Sequence, residues 1–214
     1  SATTGLTTTN PAAAVLTITE TMYILFFKPN FRFKHLFTKN FYTGVIGKFI
    51  IRAFSQSRFH HVAHTLANGI ISEAHFPKYR HINWKSCFEQ QGDTTIYAYK
   101  VRKRIDFEKL NIIENELVGR NYDFKGAASA EGHRLVKQKR NDEDIFCSEG
   151  EVILYQGMGW INRVKNKNSR SPQEVLELIL DTRIVKPKRI KVWNGSKKGD
   201  KRLINNIFKD GYIN

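Results

Sequence analysis

The sequence predicts an α+β fold class, with an antiparallel sheet packed against helices. Three observations carry this: a middle block of β-rich runs, a hairpin signal at Asn68-Gly69, and helix signatures flanking that block without a regular βαβ alternation. The 214 residues, 41% apolar, suffice for one sizeable core and are too few for two.

In chain order, residues 1–13 are small, polar and uncharged and suit an assembly partner, and residues 1–19 as a whole read as a flexible arm. The longest apolar run, Met22 to Phe27, is far short of the ~20 residues that span a bilayer and reads as a buried strand. Val45, Ile46, Phe49, Ile50 and Ala53 recur at helical spacing. The stretch HHVAHTLANGIISEA, His60 to Ala74, is two β-rich runs around a turn. Thr94 to Val101 is a further strand. Asp106 caps a helix with an apolar stripe of Leu110, Ile113 and Leu117 and with Gly119 as its stop. Ser171-Pro172-Gln173-Glu174 is a capping box with proline at the first helical position, and Arg189 to Trp193 is a final strand. The resulting division is an arm over 1–19, one domain over 20–181 and a basic extension over 182–214.

The hairpin carries the first chemical inference. A two-residue Asn68-Gly69 loop would set His61 and Glu73 on opposite sheet faces. A three-residue loop, Ala67-Asn68-Gly69 with a left-handed Gly69, pairs Leu66 with Ile70 and makes His61 and Glu73 diagonal neighbours on one face. Cys147 follows the acidic run Asp142-Glu143-Asp144 and stands at the N-terminus of a helix expected over Glu149 to Tyr155. A thiol there meets the positive end of the helix dipole, and an imidazolium beside it lowers its pKa further. A nucleophile Cys147, a base His61 and an orienting carboxylate Glu73 are the parts of a catalytic triad.

Charge is unevenly spread around these residues. Residues 1–60 hold seven Lys/Arg against one acidic residue, 61–162 fourteen against fourteen, and 163–214 fourteen against five. The basic flanks, with Lys186, Lys188 and Lys191 in the second, suit nucleic acid or another anionic surface. Trp193, Phe208 and Tyr212 interleave with lysines there. Two cysteines, Cys87 and Cys147, make no disulfide framework and indicate a reducing compartment such as the cytoplasm. No charged stretch precedes an apolar one at the N-terminus, so no secretory signal is evident. His60, His61, His64, His75 and His81 raise a metal reading, but no ligand-spacing motif accompanies them, and neither metal nor cofactor is expected.

Three ordered motifs, HHVAHTLANGIISEA, NYDFKGAAS from Asn121 and IFCSEG from Ile145, resemble those of the circularly permuted papain-like cysteine hydrolases. These are the NlpC-type group of bacteria and viruses, related to the lecithin–retinol acyltransferase-like enzymes. The resemblance covers roughly residues 20–180 and implies a circularly permuted papain-like fold. It implies His61 as base, Glu73 as third member, Tyr122-Asp123 as the pair preceding the nucleophile, and Cys147-Ser148-Glu149 as the nucleophile motif. Glu73 and Phe146-Cys147-Ser148-Glu149 differ from the acyltransferase pattern and point to the peptidase or amidase branch. Gly150 replaces a large apolar residue of the family pattern, which is expected to weaken packing of the nucleophile helix.

The sequence therefore predicts a cysteine hydrolase acting on a peptide, cell-wall or lipid-linked amide or ester, with Tyr122 and Trp160 as substrate-binding aromatics. The alternative is a non-catalytic virion, assembly or nucleic-acid-binding protein, a setting that the arm and basic flanks suit.

Overall fold

The computed structural model describes residues 21–30, 57–91, 93–127, 143–162 and 170–194. The arm, the helix expected near 44–54 and the chain beyond 194 lie outside these residues. Six strands form one sheet: β1 (Tyr23–Pro29), β2 (His61–Thr65), β3 (Ile70–His75), β4 (Lys78–Asn83), β5 (Thr94–Val101) and β6 (Val185–Asn194). Their order is β4-β3-β2-β1-β5-β6, and every neighbouring pair is antiparallel. Among the described residues, the helices that accompany them include α1 (Trp84–Gln90), α2 (Phe107–Leu117), α3 (Cys147–Gly157) and α4 (Pro172–Asp181).

The continuous apolar run in β1 is explained by its central position. Ile24 and Phe26 pack on the side of α2, α3 and α4, whereas Tyr23, Leu25 and Phe27 pack on the side of α1 through Cys87 and Phe88. A strand buried on both faces shows no alternation. The caps of α2 and α4 form as their residues dictate. Asp106 accepts from the Lys109 N–H, and Ser171 and Glu174 bond reciprocally across the first turn of α4.

The circularly permuted papain-like fold implied by the motifs is corrected by this architecture, a six-stranded antiparallel sheet with a few helices. The physical reason is that short motifs fix a turn or a helix start, whereas sheet order is set by which edges pair. At one edge the β3–β4 hairpin adds a strand across Phe76-Pro77. At the other, Val185 to Asn194 pairs with β5, so the first part of the expected basic extension is an integral edge strand.

Candidate active site

The β2–β3 loop is the three-residue form. The Leu66 N–H donates to the Ile70 carbonyl at 2.7 Å, and both Asn68 (φ 59°) and Gly69 (φ 71°) are left-handed. The register His64–Ser72 and Thr65–Ile71 puts His61 across from His75, with Glu73 diagonal to it on the same face. His61 Nε2 lies 2.8 Å from Glu73 Oε2, and both side chains are buried. Glu73 Oε1 accepts two hydrogen bonds from Arg80, from Nε at 3.0 Å and Nη2 at 2.7 Å, which fixes the carboxylate plane.

The thiol enters where β2 and β3 part. Their register stops after His64–Ser72, and ladder bonds fall on alternate residues, so the Val62 N–H points to where β3 would continue. That N–H and the His61 ring instead both act on the Cys147 sulfur, each favouring its thiolate. Cys147 is the first residue of α3, and its cap, Phe146, has no side-chain oxygen to neutralise the positive end of the helix dipole.

The electrostatics follow from these contacts. Burial alone would lower the His61 pKa, but hydrogen bonds to Cys147 and Glu73 outweigh it and raise the value from 6.5 to about 10. Burial alone would raise the Cys147 pKa. The hydrogen bond and charge of His61, helped by the Val62 N–H and Ser148, bring it below the ordinary thiol value. Against its own burial, Glu73 is held at about 2, chiefly by His61. The site thus favours a thiolate–imidazolium pair backed by a carboxylate.

Cys87 sits on the other side of Glu73, donating to Oε2 at 3.5 Å. Burial and the Glu73 charge push its pKa far above the usual range, so this thiol stays neutral. His75 stands edge-on to His61 with ring centroids 5.9 Å apart, and burial and the His61 charge lower its pKa.

The substrate aromatics separate. Tyr122 bridges Ile145, two residues before Cys147, and its ring packs on Phe124 at 5.1 Å, so it borders the site. Trp160 lies past the opposite end of α3, stacked on Tyr155 and donating to the Arg104 carbonyl. At 1.5 Å per residue, the eleven-residue helix puts it about 16 Å from the thiol. Lys186, Lys188 and Lys191 are exposed along β6. Among the described residues, no group of three or more His, Cys, Asp or Glu is disposed to hold a metal ion.

Arg80 and the Val62 N–H belong to the site without having been expected from sequence. Arg80 had a signal in its alternation opposite Glu73, but Phe76-Pro77 lacks the residues that announce a hairpin. A backbone N–H freed by parting strands has no sequence signal.

No family model and no curated protein matches the chain. A solved structure described as the metalloprotein yiiX from Escherichia coli O157:H7, DUF1105, is similar at 17% identity and a TM-score of 0.42. The similarity covers 65% of this chain and 66% of that one.

Proposed function

We propose that this protein is a cysteine hydrolase of the peptidase or amidase type, cleaving an amide or ester through an acyl-thioester on Cys147. The observation that carries the reading is His61 bridging Cys147 and Glu73, with Glu73 clamped by Arg80. The reading rests on side-chain geometry and so does not depend on the papain-like fold. The thiolate attacks the substrate carbonyl, and the backbone N–H of Cys147 helps to hold the oxyanion. The imidazolium then protonates the departing amine or alcohol. Neutral His61 next takes a proton from water, whose oxygen attacks the thioester and releases the acid and the thiol. Glu73 holds the imidazole tautomer and orientation throughout.

The test is turnover of small activated esters and a peptide mixture by the purified chain, with the acylated residue mapped by mass spectrometry. Acylation at Cys147, lost in Cys147→Ala, is the expected result. Turnover that persists in Cys147→Ala, or acylation mapping elsewhere, would overturn the proposal.

A second reading, a virion, assembly or nucleic-acid-binding protein, is favoured by one observation. The exposed Lys186, Lys188 and Lys191 share the edge strand with Arg189, whose guanidinium lies 4.7 Å from the Tyr97 ring centroid.

A further inference from the structure

The opposite face of the same strands holds a second buried polar cluster. His64, Ser72 and His81 stand across from one another on β2, β3 and β4. Glu114 of α2 reaches all three. Its Oε2 bonds to Ser72 and to His81 at 2.8 Å, and its Oε1 lies 3.2 Å from the Tyr79 hydroxyl and 3.1 Å from His64 Nε2. The other nitrogen of His64, Nδ1, meets Glu151 Oε1 of α3 at 2.8 Å. His64, Glu114 and Glu151 are all buried.

We propose that the His64–Glu151 contact, anchored by Glu114, is a register lock that positions Cys147 against His61; the inference rests on the hydrolase reading above. Cys147 and Glu151 are four residues apart on α3 and therefore share a helix face. His61 and His64 are three apart on β2 and point to opposite sheet faces. Helix and strand are thus pinned at two successive points, the thiol at His61 and Val62 and the carboxylate at His64. A one-residue slide of α3 is a displacement of about 1.5 Å, enough to break either contact.

The packing beside the lock is equally close. A Cβ at Gly150 would meet Tyr79 Cε2 at 3.0 Å, and one at Gly157 would meet Ile113 Cδ1 at 2.5 Å. The glycine expected to loosen this helix therefore brings it nearer to β4. A buried charged trio of this kind is a weak source of net stability, because desolvation offsets attraction, but its directional contacts specify one arrangement. His64 and Glu151 touch no reacting atom and are positioning residues.

The test is the pH profile of Cys147 alkylation by iodoacetamide, mapped by mass spectrometry on the full chain. Glu151→Gln keeps the shape of the side chain and removes its charge. Loss of that charge by itself would favour thiolate and move the profile to lower pH, whereas loss of position moves it up, on the order of one pH unit or a tenfold lower thiolate fraction. Gly150→Ala changes no charge and presses a Cβ against the Tyr79 ring, and the shift of the helix expected from that crowding should move the profile the same way. It decides alone if Glu151→Gln does not fold. Ile179→Val, which trims the core beneath α4, should lower stability and leave the profile in place. A low wild-type midpoint that stays put or falls in Glu151→Gln and stays put in Gly150→Ala overturns the lock alone. A wild-type midpoint at the ordinary thiol value overturns the hydrolase reading and the lock with it.

Discussion

Cys147 and Cys87 touch opposite ends of one hydrogen-bond chain, the first through His61 and the second through Glu73. Their thiols should accordingly behave differently. Iodoacetamide near neutral pH is expected to modify Cys147 first, because a neighbouring imidazolium supplies thiolate where a neighbouring carboxylate suppresses it. His61→Ala should slow labelling of Cys147. Glu73→Gln should do so less, while bringing Cys87 closer to an ordinary thiol, so the selectivity narrows from both sides. Equal labelling of the two cysteines in the unaltered chain would count against the enzyme reading. In an assay of turnover, Cys147→Ala should cost several orders of magnitude. Adding His61→Ala should then cost little more, since members of a triad act as a unit.

Helix ends were the most legible elements, because each is decided by a few adjacent residues. Asp106, Ser171 and the Cys147 start all fall where the sequence indicated. Ser171→Ala removes the acceptor for the Glu174 N–H and is expected to cost about 1 kcal/mol, read as a lower Tm with Cys147 labelling unchanged. Gly119 ends α2 at φ +89° with open space around it, so the cost of a side chain there is conformational alone. Gly119→Ala should cost about 1–2 kcal/mol, and Gly119→Asn less, because asparagine tolerates the left-handed region. Equal destabilisation by the two would point to packing instead.

Taken whole, the molecule ties its sheet to its helices through buried charge, and this makes stability depend on pH. Burial opposes the charge on His64, but Glu151 and Glu114 raise its pKa from 6.5 to about 10. That contribution is complete below about pH 6.5 and is lost as pH rises through about 10. Glu73, held at about 2 against an ordinary 4.5, contributes above about pH 4.5 and loses its contribution as pH falls through about 2. Thermal stability should therefore peak between about pH 4.5 and 6.5 and decline on both sides, with His64→Gln flattening the alkaline limb. A Tm constant from pH 6 to 10 would contradict the paired His64. At the β6 edge, Pro187 and the exposed lysines discourage pairing with another sheet, whatever else they bind. If they also hold a polyanion, Lys186→Glu, Lys188→Glu and Lys191→Glu together should weaken DNA binding. Its salt dependence should then fall by about 0.9 log unit per log salt for each phosphate no longer neutralised. Labelling of Cys147 should not change.

The sequence by itself determined what depends on neighbours a few residues away. Asn68-Gly69 placed the turn and strand parity tied the shared face of His61 and Glu73 to a three-residue loop, while the choice between that loop and a two-residue one was left to the structure. The capped starts of α2 and α4 and the position of Cys147 at a helix start follow from backbone preferences and unpaired N–H groups. Tertiary structure alone decided the strand order, which the motifs misassigned, and the pairing of β6 with β5. It also decided the clamp of Arg80 on Glu73, the diversion of the Val62 N–H to the thiol, and the contact of His64 with Glu151. Those features join residues up to 99 positions apart. Whether such residues meet is settled by how the whole chain buries its apolar faces while satisfying its buried charges, and no local pattern encodes that choice.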